Sequence, residues 1–138
     1  KVKMKITKSV LEKLFVTYNK EYFESFLILP TISTYIGQNS MGMFRVKKGS
    51  NFVHMSISIA RNFKLTYEEL RDLLLHEMIH QYVFLKTGKV SHNRQFIKKM
   101  KELNQQYGLD IRINSKHLFK KYAPKKSFWQ KIMNYIFG

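Results

Sequence analysis

Apolar residues recur at two different spacings along this chain, and the switches between them divide it into elements. Val10, Leu11, Leu14, Phe15, Tyr18, Tyr22 and Phe26 follow a helical period. They predict a helix capped by Thr7 or Ser9 and running to about Leu27, with Pro30 as its stop. From residue 31 to residue 60 the period falls to two. "TISTYIG", "MGMFRVKK" and "NFVHMSISIA" predict three short strands, with turns at Gln38–Ser40 and Gly49–Asn51. The third alternates Val53, Met55, Ile57 and Ile59 against His54, Ser56 and Ser58. An antiparallel meander is the most economical topology for such a run.

The helical period then returns. Thr66 and Glu69 form a T-x-x-E capping box, and the helix they open continues to about Lys86, short of Gly88. Leu70, Leu73, Leu74 and Phe84 cover one side of it, while Leu75, Ile79, Tyr82 and Val83 cover much of the other. A helix apolar nearly all round is a buried helix. A further helix from about Asn93 to Tyr107 places Phe96, Met100, Leu103 and Tyr107 on a buried stripe, with Arg94, Lys98 and Lys101 opposite. The expected architecture is α+β in a single domain over residues 1–138, with a basic amphipathic segment at about 116–138. In its last part, Phe128, Trp129, Ile132, Met133, Ile136 and Phe137 share a broad face. That face suits core packing, an interface or shallow membrane association, and a small domain's need for buried area favours the first.

Composition changes this picture mainly through charge. Lys and Arg number 25 against 9 Asp and Glu, for a net charge of +16. Such an excess favours polyanionic partners, nucleic acid or an anionic membrane surface, over a merely solubilising role. Two clusters could contact phosphates: Arg94, Lys98 and Lys101 on the helix face, and Lys116, Lys120, Lys121, Lys125 and Lys126 in "KHLFKKYAPKK", where Phe119 and Tyr122 could stack on unpaired bases. The plainer alternative is a solvated face and a basic tail. Cysteine is absent, which excludes disulfides, thiolate metal sites and cysteine nucleophiles. No apolar run is long enough to span a membrane, and "KVKMKITK" lacks the apolar core of a signal peptide, so a cytoplasmic location is expected.

The chemistry concentrates in "LLLHEMIHQYVFL", where two histidines and a glutamate interrupt an apolar run. Such groups are costly to bury without partners. His76, Glu77 and His80 read as H-E-x-x-H, with the histidines at i and i+4 on one helix stripe. Their imidazoles can bind one zinc ion, and Glu77 can serve as general base toward water there. The pattern arises by accident in roughly 1% of chains this long, so its place on a capped, buried helix matters as much as its letters. A catalytic zinc takes three protein ligands and keeps one position open. Downstream of His80 the candidates for the third are His92, Glu102, Asp110 and His117. Val83 and Lys86 stand where a metzincin needs glycine and histidine, which excludes that subclass. Asp72, one turn before His76, suits either support of that ligand or an ordinary acid near the helix start. His54 and His117 read as ordinary strand or surface histidines.

The chain resembles the SprT-like metallopeptidases, which include the Spartan-type proteases. "YNKEYFESFLILPTIS", "GMFR", "ISIAR", "ELRDLLLHEMIHQYVF" and "SHNRQFIKKM" carry the resemblance. The family motif continues from H-E-x-x-H through a loop to a histidine, usually followed by glycine and, a few residues later, phenylalanine. His92 and Phe96 match, while Asn93 replaces the glycine and would tolerate a left-handed backbone. The resemblance implies a zincin-like fold, one zinc held by His76, His80 and His92, and endopeptidase activity on protein substrates, including DNA-associated proteins. It also implies DNA dependence, although the cysteine-based zinc ribbon common in the family is missing here. Helical geometry favours His92 over Glu102, since Glu102 lies about 120° from the buried stripe. A non-hydrolytic, zinc-containing DNA-binding module is the competing function, and an intact Glu77 argues against it.

Overall fold

A computed structural model describes residues 2–122 and 128–137, with five helices and one three-stranded mixed sheet among them. Helix α1 (Lys8–Phe23) starts where Thr7 Oγ1 accepts from the Val10 N–H at 3.2 Å. It buries Leu11, Phe15, Tyr18 and Phe23. It stops four residues short of the expected Leu27, before Pro30 can act. Glu24 and Ser25 turn left-handed with φ of 52° and 59°. The Asn19 amide then takes both backbone groups of Leu27, donating to its carbonyl at 2.8 Å and accepting from its N–H at 3.0 Å. A side chain thus supplies the hydrogen bonds that another helical turn would have made.

The sheet departs from the expected meander. Strands β1 (Thr31–Tyr35), β2 (Gly42–Lys48) and β3 (Val53–Ala60) lie in the order β1-β3-β2. β3 runs antiparallel to β2, from Gly42↔Ile59 to Lys48↔Val53, but parallel to β1, from Thr31↔Ser56 to Tyr35↔Ala60. The reason lies in the 36–41 connection, which crosses the end of β3 instead of closing a hairpin. Asn62 pins it by donating to the Gly37 carbonyl and accepting from the Gly37 N–H, and Met41 accepts from the Ala60 N–H. β3 is therefore central, with Ile57 and Ile59 fully buried. Its polar face is used as well: the Ser58 and Ser33 hydroxyls bond across the parallel pair at 2.7 Å.

Helix α2 (Tyr67–Thr87) packs across this sheet, with its heaviest strand contact on β2, and against α1 and α3 (Arg94–Tyr107). Both arms of its capping box form: the Thr66 N–H donates to Glu69 Oε1 at 2.8 Å, and the Glu69 N–H donates to Thr66 Oγ1 at 3.2 Å. Gly88 ends it in the left-handed conformation that a helix C-cap needs. α3 buries Phe96, Met100 and Leu103, but Tyr107 runs off the core, 41% exposed, with its ring edge-on to Tyr22.

Helix α4 (Lys116–Tyr122) adds Leu118 to the core, and α5 (Phe128–Phe137) follows. The core-packing expectation for this last segment does not hold. Ile111 and Leu118 complete the core among the described residues, whereas Trp129, Met133, Ile136 and Phe137 are all at least half exposed. Lys125 and Lys126 lie outside the described residues. Among those described, no helix is long and apolar enough to cross a membrane.

α4 is tied to the start of α2. Lys121 Nζ donates to Glu69 Oε2 at 2.8 Å, and the Tyr122 hydroxyl donates to Glu69 Oε1. Burial alone would raise the Glu69 carboxyl, but the bonds from Lys121, the Thr66 backbone and Tyr122 outweigh it and hold it at about 2. Its folded pKa therefore lies below the unfolded value of 4.5. Between those values the unfolded chain binds the proton first, so this contribution is complete above about pH 4.5 and is lost as pH falls through about 2. Thermal unfolding of wild type and Glu69→Gln should show it: the wild type's advantage at pH 6 shrinks steadily below pH ~4.5.

Candidate metal centre

The site grows from the buried face of α2. Leu73, Leu74, Leu75, Met78 and Ile79 fix the helix in the core, each at most 6% exposed. His76 and His80 project from the same stripe one turn apart, with ring centroids 4.9 Å apart. The loop after Gly88 brings His92 back over them. His92 Nε2 lies 3.1 Å from His76 Nε2 and 3.1 Å from His80 Nε2. The three rings also share one support, the fully buried Phe96, whose ring centroid lies 4.6–4.9 Å from each of them. Phe44 of β2 stacks nearly parallel on His80, with 6° between the ring planes.

Asn93, at the position where the family motif has glycine, is not left-handed. Its φ of −78° and ψ of −174° are extended, and its side chain caps α3 by accepting from the Phe96 N–H at 3.0 Å. Asparagine serves here because it is a good N-cap, which sets both His92 and Phe96 at the start of that helix.

Protonation follows from geometry. His76 Nδ1 lies 2.7 Å from the Arg112 carbonyl, which can only accept, so Nδ1 carries the proton and Nε2 presents a lone pair. Burial, opposed by that carbonyl and reinforced by the neighbouring imidazole of His92, holds His76 at about 4. Burial and the charges of His76 and His92 hold His80 at about 3. The Val90 backbone lies near enough to favour charged His80, yet no hydrogen bond of sound geometry reaches its buried Nδ1. Burial also lowers His92. All three rings are therefore neutral at pH 7, the state in which imidazole binds a metal.

These nitrogens fit a metal ion. Donors ~2.0–2.1 Å from a tetrahedral zinc stand about 3.4 Å apart, close to the spacing seen here. Lone pairs crowded this closely have no hydrogen bonds to justify them all, since His76 Nε2 carries no proton. Among the described residues these three histidines are the group placed so that it could hold a metal ion. Imidazole donors of this number suit zinc and other divalent transition metals.

Glu77 lies beside them, 4% exposed, with Oε2 4.0 Å from His76 Nε2. That distance exceeds a hydrogen bond, and burial pushes its carboxyl up to about 8. The other acids and histidines named from sequence fall elsewhere. Asp72 pairs with Arg71 at 2.9 Å, so His76 is oriented by the Arg112 backbone instead. A backbone carbonyl 36 residues away leaves no signature in sequence. Asp110 pairs with the Arg112 side chain. Glu102 is exposed and lines a separate cleft with Lys99 and Tyr107. His117 borders a 450 Å³ cavity that also reaches His76, without joining the cluster, and His54 is exposed on β3. Of the basic residues, Arg94, Lys98, Lys101 and Lys120 are exposed, while Lys121 is engaged by Glu69.

Residues 11–117 match the model of the SprT-like family, and the chain belongs to that family. No curated protein matches it. Family membership suggests a metallopeptidase-like function, and the histidine cluster could hold a metal ion of the kind such a function needs. His92→Ala should lower zinc affinity by at least ~10-fold, whereas Glu102→Ala should stay within about threefold, as expected of a residue outside the centre. Metal titration against a competing chelator checks this, and the reverse ranking would overturn the ligand assignment.

Proposed function

We propose that this chain is a zinc-dependent endopeptidase built as a single zincin-like domain. One observation carries the reading: three neutral imidazole nitrogens converge on a point beside a buried carboxylate that hydrogen-bonds to none of them. His76, His80 and His92 would hold the ion and leave one position free. Zinc held there would supply Lewis acidity toward the scissile carbonyl and the attacking water.

The remaining work belongs to the chain's own residues. With a cation at the three imidazoles offsetting the burial that raises its carboxyl, Glu77 is ionised and takes a proton from the attacking water at Oε2 as the water's oxygen bonds to the carbonyl carbon. It then delivers that proton to the amide nitrogen as the C–N bond breaks, which returns the carboxylate to its starting state. Arg112, through its carbonyl, keeps the His76 proton on Nδ1 and so keeps Nε2 available. Phe96 and Phe44 hold the rings and exclude bulk water from behind them. β2 is an edge strand, and an extended peptide can add along it next to Glu77.

DNA-associated proteins are the substrates this reading favours. The +16 charge and the exposed Arg94, Lys98, Lys101 and Lys120 support phosphate contacts, with Lys121 contributing less because Glu69 holds it. Binding of single-stranded DNA should weaken linearly with the logarithm of salt concentration, and charge reversal at Lys98, Lys101, Lys120 and Lys121 should flatten that slope. Salt-independent binding, or none at low ionic strength, would leave a DNA-independent peptidase.

Glu77→Gln tests the chemistry. It should retain about one zinc per chain while hydrolysis of a denatured protein falls by at least ~10²-fold, the scale of losing a general base. Wild-type cleavage by the variant would refute the mechanism. Zinc binding without hydrolysis by the wild type would favour a non-hydrolytic DNA-binding module instead.

A further inference from the structure

We propose that Gly42 is a positioning residue for Glu77: the missing side chain at this point of β2 forms the seat that holds the carboxylate beside the three imidazoles. Gly42 opens β2, in register with Ile59 of β3, where α2 crosses the strand. A Cβ placed there would stand 2.7 Å from Glu77 Oε2 and 3.2 Å from both Cδ and Cγ. All three separations are tighter than ordinary van der Waals contact, so the outer half of the glutamate lies flat against the bare backbone.

Backbone conformation does not explain this glycine. Gly88 and Gly108 hold the positive φ angles that favour glycine, while Gly42 sits in a regular antiparallel ladder open to alanine. Space alone forbids the methyl. The atoms in its way are the end of one side chain, so the strand can stay and the carboxylate must move. Glu77 is 4% exposed, which leaves it little room nearby. The oxygen nearest the added methyl is also the one facing His76 Nε2. Two residues along, Phe44 stacks on His80, so one short piece of β2 bears on both a histidine of the cluster and the carboxylate.

The kinetic consequence rests on the peptidase reading; the seat itself rests on packing alone. In the zinc-loaded chain acting on denatured casein, Gly42→Ala should lower kcat at least ~10-fold, as displacements near 1 Å do. KM and zinc affinity should stay within about threefold, because neither the imidazoles nor the strand edge is moved. A thermal-unfolding cycle on the metal-free chain supplies a readout independent of activity. Gly42→Ala should cost more Tm beside Glu77 than in the Glu77→Ala background, where the methyl has room. Should Gly42→Ala fail to fold alone, recovery of folding in that background is the same result in stronger form. Unchanged kcat overturns the positioning role, and equal Tm losses in the two backgrounds overturn the seat. A wild-type chain that cleaves no protein would defeat the peptidase reading, while the unfolding cycle would still decide the seat.

Discussion

Glu77, His80 and Gln81 occupy the interior of a helix whose other inward neighbours are leucine, isoleucine and methionine, and His76 stands at its half-buried margin. Each polar group removed from water must find a partner or destabilise the fold. The molecule meets that demand unevenly. Gln81 donates to the Ile28 carbonyl at 2.6 Å, tying α2 to the segment that leads into β1. His76 donates to the Arg112 carbonyl, tying the same helix to the chain beyond α3. Among the described residues three buried side-chain atoms, His80 Nδ1, Gln81 Oε1 and Asn93 Nδ2, are left without a partner, and Glu77 has the neighbouring histidine at 4.0 Å. Two of these atoms lie on adjacent residues of α2, and the third lies on the cap residue of α3. A cation held by the three Nε2 atoms would engage their crowded lone pairs and favour the ionised form of Glu77.

The sheet order matters to this site. With β3 between β1 and β2, β2 becomes an edge, and its first residue meets Glu77. A meander would have placed β2 in the centre, paired on both sides, with no free backbone beside the carboxylate. The parallel β1–β3 pair is therefore part of how the fold presents an open strand next to the histidine cluster, and the Asn62 clamp on Gly37 is what routes the chain that way.

The electrostatics of α2 differ at its two levels. At its start, Glu69 is held strongly acidic by Lys121, Thr66 and Tyr122, which fastens α4 to the helix. At its middle, burial works against charge in both directions, keeping the histidines neutral and raising Glu77. In a chain of net charge +16 this pairs a firmly ionised structural acid with a site whose groups are all poised toward neutrality.

Local signals determined what the sequence could determine alone. The capping box, the all-round apolar pattern and the C-terminal glycine marked α2 within a residue at each end, because caps and periodicity act over a few neighbouring residues. His76 and His80 followed, since i and i+4 on one helix meet by geometry. His92 was reached through the family resemblance, and Phe96 came with it only as a core residue, not as the common support of three rings. The rest depended on contacts between distant residues. Asn19 captured Leu27 and ended α1 early; the crossing connection placed β3 between its sisters; Arg112 oriented His76 through a carbonyl common to every residue. The bare face of Gly42 mattered only once α2 lay across β2. Backbone groups and empty space have no letter in the sequence, so only the tertiary structure could assign them.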